Sequence, residues 1–228
     1  YIAPSLNLVQ SYEPGDKRKD NDIIYGKTTI YSGMVQTQSV IDGTTIIGAY
    51  SESDPNSVSN GYPNRFCRKG YQPRPVVGGN ENYGGNIRMM RWAEVLLIGA
   101  EAAVRTGDAK ASTWYNAVRT RAGLASKEPT LENIWEEKRI ELSMERDRYF
   151  DLVRIDKMQP GYFAAKVWAK IQSEQQGLEE MRAQGLAPAS TTLPGPPASA
   201  VVVPKNYVMP VPNEQILLMN NLKQNDGY

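Results

Sequence analysis

From Met90 onward the apolar and small positions Ala93, Leu97, Ala100 and Val104 recur at three- and four-residue steps. That is one face of a 3.6-residue period, and it predicts an amphipathic helix whose small-residue side is buried. Asn86 is the candidate N-cap. Gly107 and Asp108 stop the helix, glycine supplying the left-handed residue after the last turn and aspartate capping the next helix. That second helix runs through Trp114, Ala117, Val118 and Arg121, and Ala122-Gly123-Leu124 closes it. Two helices joined by so short a turn run antiparallel, and Gly99, Ala100, Ala102 and Ala103 let their backbones approach closely.

The hairpin resembles one tetratricopeptide-type unit, although no second copy recurs at a fixed period. Thr130 is the candidate N-cap of a third helical block that passes through Leu131, Ile134 and Trp135 into a run of charges. There Glu141, Glu145, Arg148, Asp151 and Arg154 follow at three- and four-residue steps. An alternating ladder is therefore expected along one helix face, fixing a helix junction if it is buried. A last helix starts near Tyr162 and carries Ala165, Trp168, Ile171 and Gln175 along one side. Residues 1–85 are rich in Gly, Pro, Asn, Ser and Tyr, with β-prone runs at 23–25, 28–31 and 44–47, and read as loops with one or two short hairpins. Asp42-Gly43 suits a tight turn between two such strands. Residues 186–205 read as a mobile Pro/Ala/Ser-rich surface connection, ahead of a closing segment with a final helical turn around 214–221.

Composition mainly excludes. The chain has 228 residues, 40% of them hydrophobic, enough for one domain or one and a half. A net charge of +1 and the lack of a Lys/Arg run argue against nucleic acid as a partner. No apolar stretch approaches the ~20 residues that span a bilayer. With one cysteine, Cys67, and no histidine, neither a disulfide nor a zinc-type cluster is expected, and no cofactor is implied. Cys67 reads as a small, partly buried side chain in a loop. Asp16, Asp20 and Asp22 miss the calcium-loop spacing and read as solvated charge. The acids of 132–151 each lie one helical step from Arg or Lys, which holds them ionised and unsuited to general-acid catalysis. The two Gly-Gly pairs at 78–79 and 84–85 lack the ending of a phosphate loop and read as bends.

The sequence blocks carry more than the composition. Arg91-Trp92-Ala93-Glu94-Val95-Leu96-Leu97, continued by Ala100-Glu101-Ala102, resembles the R-Y-A-E-V-L-L-x-x-A-E-A helix of the SusD/RagB-like outer-membrane proteins of Bacteroidetes. Glu137-Lys138-Arg139-Ile140-Glu141-Leu142, with Glu145, Arg148, Asp151-Leu152 and Arg154, is similar to that family's E-R-R-I-E-L-x-x-E-G-x-R-x-x-D-L-x-R segment. Tyr207 to Ile216 and Gln224 to Tyr228 resemble its terminal passages. Asn7-Leu8-Val9 with Tyr12, Asp16 and Arg18 resembles its N-L-V-D-x-Y-x-x-x-D-x-R passage. Arg146 departs from the pattern, standing where the family has glycine. On this resemblance Arg91, Glu94, Glu101, Glu141, Glu145, Arg148, Asp151 and Arg154 are structural motif residues.

The resemblance implies a mostly α-helical fold, with tetratricopeptide-like hairpins supporting a loop-rich face that bears a few short β-hairpins. Within one such domain, residues 1–85 would form the loop-rich ligand face, 86–185 the helical core and 186–228 the connection and closing segment. Family members are about twice as long, so the chain is expected to be a C-terminal portion. The implied function is a lipid-anchored outer-membrane protein at the cell surface, its anchor on the missing N-terminal portion. It would capture oligosaccharides for a SusC-like TonB-dependent transporter and would not be an enzyme. Two other readings stand beside it: a helical-repeat scaffold for a protein or peptide, and a glycoside-active enzyme.

Thirteen tyrosines and four tryptophans against three phenylalanines give aromatic surface with polar edges, suited to sugar faces. One ring covering about 80 Å² supplies roughly 2 kcal/mol, against an association cost on the order of 4–15 kcal/mol. Two or three rings acting together are therefore needed. Tyr50, Tyr62, Tyr71 and Tyr83, all in the loop-rich stretch, are the candidate ligand-binding residues. Trp92, Trp114, Trp135 and Trp168 fall on helices and read as packing residues.

Overall fold

The computed structural model describes residues 4–25, 29–31, 34–36, 40–41, 44–45, 65–69, 88–145, 147–183, 207–219 and 221–228. Their helices are α1 (Leu6–Ser11), α2 (Arg18–Asp22), α3 (Trp92–Thr106), α4 (Lys110–Arg121), α5 (Leu131–Glu141), α6 (Arg148–Met158), α7 (Tyr162–Ala183) and α8 (Asn213–Leu218). The strands are short: β1 (Ile23–Tyr25), β2 (Thr29–Tyr31), β3 (Met34–Gln36), β4 (Val40–Ile41), β5 (Thr44–Thr45) and β6 (Arg65–Cys67). They form three antiparallel pairs, β1 with β6, β2 with β3 and β4 with β5. Ile41 pairs with Thr44, and the Asp42-Gly43 turn expected between them lies outside the described residues. The fold is mostly helical, as expected.

The α3–α4 hairpin forms as the period predicts. Ala93, Leu97 and Ala100 of α3 are buried with Tyr115 and Val118 of α4 and Ile134 of α5. Gly107 caps α3 at φ 73°, in the left-handed region that glycine adopts without cost. Asp108 then accepts a bond from the Lys110 amide at 2.9 Å, satisfying one free donor at the start of α4. The close approach expected at Gly99 is real. A Cβ there would lie 3.0 Å from Cε3 of the Trp114 ring.

Helix α5 is the central rod. Thr130 caps it, accepting from the Asn133 amide at 3.2 Å. Ile134 belongs to the α3–α4 cluster, and Trp135 packs with Leu152, Ile155, Tyr162 and Phe163 of α6 and α7. Ile140 joins Leu8, Val9, Tyr12 and Ile23 from the N-terminal segment. A helix serving three clusters is buried on nearly all sides, and Glu137, Lys138 and Glu141 are buried with it.

Three expectations are corrected. Helix α3 begins at Trp92 with Arg91 as its N-cap, and Asn86 lies outside the described residues. On α7 the buried side runs through Tyr162, Phe163, Ser173, Glu174 and Leu178, because α1 and α6 cover that side; Trp168 is exposed. Trp92 is not a packing residue either, being 72% exposed. Among the described residues of the turn after α5, Met144 is left-handed at φ 64° and packs against the N-terminal cluster. The 186–205 connection lies outside the described residues.

Because the Trp114 ring would have to give way, Gly99→Val is expected to destabilise the hairpin by about 1–3 kcal/mol. Thermal melting followed by circular dichroism at 222 nm checks this.

Candidate functional site

Four-residue spacing puts Glu137 and Glu141 on one side of α5, and the turn after it brings Glu145 into line. Cations from remote parts of the chain meet this column. Arg18 Nη1 donates to Glu137 Oε1 at 2.6 Å and to Glu141 Oε2 at 3.0 Å, while its Nε and Nη2 grip both oxygens of Asp16 at 2.9 and 2.7 Å. Arg119 reaches Glu137 at 3.0 Å, and Arg91 and Arg121 reach Glu141 at 2.8 and 2.5 Å. Asp16, Arg18, Arg119, Glu137 and Glu141 are buried. Burial pushes the Glu141 carboxyl up, but the bonds and charges of Arg91, Arg121 and Arg18 outweigh it and hold it below the usual range. The expectation of solvated charge therefore fails at Asp16 and at Asp22. Asp22 is buried beside Lys69, and desolvation raises its carboxyl above the ordinary value. Only Asp20 is exposed among the three.

The one-face ladder does not form, because α5 ends at Glu141 and α6 starts at Arg148. Glu145 instead takes a two-pronged bond from Arg91, Nε to Oε2 at 2.7 Å and Nη2 to Oε1 at 2.8 Å. Arg148 joins no carboxylate in an ion pair among the described residues; burial and the nearby Arg139 charge lower its pKa. The one surviving rung is Asp151 with Arg154 at 3.3 Å. Arg154 makes its shorter bonds to Glu101, at 2.6 and 2.9 Å, and Asp151 also holds Lys138 at 2.9 Å. Of the motif residues, Arg91, Glu141 and Glu145 thus share one cluster and Glu101, Asp151 and Arg154 another. Glu94 stands in an open groove.

Tyr50, Tyr62, Tyr71 and Tyr83 lie outside the described residues. What is described is how the chain on either side of them is fastened. The β1–β6 pair brings Tyr25 opposite Arg65, joining the two ends of 26–64. Lys69 Nζ donates to the Glu141 carbonyl at 2.7 Å and to Glu145 Oε1 at 2.7 Å. Arg91 Nη2 donates to that same Glu141 carbonyl at 2.8 Å. Lys69 and Arg91, on either side of 70–90, are therefore held at one place on the frame. Sequence reasoning missed Arg18, Lys69 and Arg119 as anchors. Asp16-x-Arg18 was a visible signal, since a carboxylate two residues before a guanidinium matches the family passage.

Cys67 is half-buried at the end of β6, donating to the Lys69 carbonyl at 3.4 Å, and burial raises its thiol pKa. Among the described residues, no group of acidic or cysteine side chains is arranged to hold a metal ion. A groove of about 460 Å³ lies between α3 and α6, bordered by Glu94, Ile98, Asp147, Phe150 and Arg154. Burial, with the Asp147 charge, raises the Glu94 carboxyl. Tyr207 hydroxyl donates to Asp156 Oδ2, whose other oxygen accepts from the Phe163 amide at 2.7 Å, so the closing segment docks at the start of α7.

A family model described as the SusD family matches residues 3–228. Among solved structures, surface glycan-binding protein A from Bacteroides uniformis aligns with a TM-score of 0.55 at 26% identity, over 95% of this chain and 39% of that one. A SusD-like protein from Bacteroides fragilis NCTC 9343 aligns with a TM-score of 0.60 at 20% identity, over 99% of this chain and 47% of that one. The chain thus spans less than half the length of either. No curated protein sequence is significantly similar to it. Among the described residues no helix is long and apolar enough to cross a membrane.

Removing one partner from a buried charge cluster leaves the others uncompensated. Arg18→Met is expected to cost about 3–5 kcal/mol, whereas Lys127→Ala, which breaks an exposed 3.8 Å pair with Glu13, should cost less than about 1 kcal/mol; urea denaturation compares the two. The Glu101 carboxyl is pushed up by burial but pulled down further by Arg154 and Arg105, to about 2 from an ordinary 4.5. A depressed folded-state pKa contributes stability above pH 4.5 that is lost as the pH falls towards 2. Its size is at most about 3 kcal/mol, since Arg154 and Arg105 are partly solvated and screened. Glu101→Gln should flatten unfolding free energy against pH within that window.

Proposed function

This chain belongs to the SusD family, and we propose that it forms the frame and part of the ligand face of a cell-surface glycan-binding protein. It captures oligosaccharides and passes them to a SusC-like TonB-dependent transporter, held to the outer membrane by a lipid anchor on a further N-terminal portion. The family match over nearly the whole chain carries this reading, and the glycan-binding relative from Bacteroides uniformis supports it.

The geometry favours binding over catalysis. Glu141 and Glu145 are held ionised by guanidinium and ammonium donors, which leaves them no proton to donate, and both oxygens of Glu137 are covered by Arg18 and Arg119. The frame has a different use. Recognition by several weak aromatic contacts needs loops that are pre-positioned, since ordering them on binding would consume much of the gain. Lys69 and Arg91 meeting on Glu141 and Glu145 fasten the base of the segment that holds Tyr71 and Tyr83, and the β1–β6 pair does so for Tyr50 and Tyr62.

Native affinity electrophoresis through gels cast with a panel of polysaccharides tests the reading. At least one glycan is expected to retard the chain, and paired Tyr→Ala changes at 50 and 62, or at 71 and 83, should weaken that retardation at least tenfold. Retardation by no glycan, or release of reducing ends during the run, would overturn it.

A further inference from the structure

An α-helix ends in carbonyls that find no partner within it, and the partial negative charge there favours a cation. Helix α5 ends at Glu141. Among the described residues no backbone amide reaches the Glu141 or Ser143 carbonyl. The ammonium that does reach them belongs to Lys69, 72 residues before Glu141. Its Nζ donates to the Glu141 carbonyl at 2.7 Å and to the Ser143 carbonyl at 3.1 Å, and faces Ser143 Oγ at 3.5 Å, Glu145 Oε1 at 2.7 Å and Asp22 Oδ2 at 3.4 Å. Five oxygens thus surround one nitrogen and outnumber its three protons. Carboxylates and carbonyls, the oxygens that hold hard cations, make up most of the cage. Backbone strain falls at the same place. Met144, left-handed at φ 64°, stands between Ser143 and Glu145, the two residues whose oxygens close on Nζ. A residue with a side chain keeps that conformation only where its surroundings over-determine it.

We propose that Lys69 is a positioning residue for the ligand face, its ammonium acting as a built-in cation that locks the turn after α5 to both loop anchors. This rests on the glycan-binding reading and deepens it. Both anchors converge on the one nitrogen. Asp22 precedes β1, and its carbonyl accepts from the Arg68 amide at 2.8 Å just after β6, so the contact of Nζ with Asp22 ties in the strand pair that flanks 26–64. The Glu141 carbonyl and Glu145 Oε1 also accept from Arg91 Nη2, both at 2.8 Å, which ties in the residue that follows 70–90. A guanidinium would not serve in place of the ammonium. Its donors lie in one plane, whereas these oxygens come from separate segments around a point, and Arg91 already bonds two of them. What the cage requires is a compact charge with donors free to rotate.

Chemical rescue of the full chain tests this. Lys69→Ala removes the outline of a propylammonium ion, so propylammonium chloride at about 0.1 M should refill the cage, whereas tetramethylammonium chloride screens equally but has no N–H to donate. Melting is followed by circular dichroism and glycan binding by affinity electrophoresis. Lys69→Ala is expected to lower the melting midpoint by about 5 °C and to weaken retardation at least tenfold. Propylammonium should restore roughly half or more of each loss, and tetramethylammonium none. Lys69→Arg keeps the charge and carries the test should Lys69→Ala not fold; it is expected to melt below the wild type and to lose retardation. A Lys69→Ala chain that melts like the wild type, equal effects of the two salts, or a Lys69→Arg chain that matches the wild type overturns the proposal. Rescued melting in a chain whose wild type no polysaccharide retards overturns glycan capture and leaves the cage standing. Retardation untouched by Lys69→Ala overturns the positioning role and leaves glycan capture standing.

Discussion

The column of Glu137, Glu141 and Glu145 against Arg18, Arg91, Arg119, Arg121 and Lys69 is the constraint on which the rest of the structure depends. Its members come from the start of α2, the residues just after β6, the start of α3, the end of α4, and α5 with the turn that follows it. None of these segments touches the others in sequence. Withdrawing so many charges from water costs several kcal/mol for each ion, and their attraction returns little more than that cost. Net stability is therefore not what the cluster adds. Any alternative packing that separates one member strands a buried charge, so the cluster singles out one arrangement of the parts.

The same physics explains why the family-like blocks look as they do. They pair with one another. Arg91, at the head of the first block, bonds Glu141 and Glu145 of the second, and Glu101 of the first bonds Arg154 at the end of the second. Arg18 of the N-terminal passage, gripped by Asp16, closes on Glu137 and Glu141, while Leu8, Val9 and Tyr12 pack on Ile140 between those two acids. Tyr207 of the terminal passage binds Asp156, just beyond the second block. Each block is incomplete by itself, a set of half-bonds whose partners lie in another block. Guanidinium supplies the geometry, since a planar fork with five donors can grip one carboxylate with two parallel bonds, as Arg91 grips Glu145, and still reach a second, as Arg91 reaches Glu141.

This division decides how much could be read from the sequence. The α3–α4 hairpin was legible because its signals are local: a 3.6-residue period, Gly107 after the last turn and Thr130 before the next helix. The buried charges were not. Three- and four-residue spacing among Glu141, Glu145, Arg148 and Asp151 is compatible with a ladder only if the helix continues, and nothing in those residues announces the break at Leu142. Asp16-Lys17-Arg18 looks solvated by composition, and its burial depends on Glu137, more than a hundred residues away. Trp92 misled for the opposite reason, an aromatic on a helix being core by default while here it stands outside on α3. The candidate tyrosines rested on residue type and loop setting alone, and they fall outside the described residues.

Helix α5 is the most constrained part of the frame. It contributes to three separate apolar clusters and to the charge column, so almost every position on it answers to a different neighbour. A change there is felt in several directions at once, and cost accumulates. The residues that flank 26–64 and 70–90 are anchored differently: the first by a β1–β6 pair made largely of backbone bonds, the second by Lys69 and Arg91, which meet on the Glu141 carbonyl and the Glu145 carboxylate. Backbone pairing is indifferent to side-chain identity, and a single lysine and arginine suffice for the rest. The frame is thus fixed by side-chain chemistry at α5 and by main-chain bonds at β1–β6.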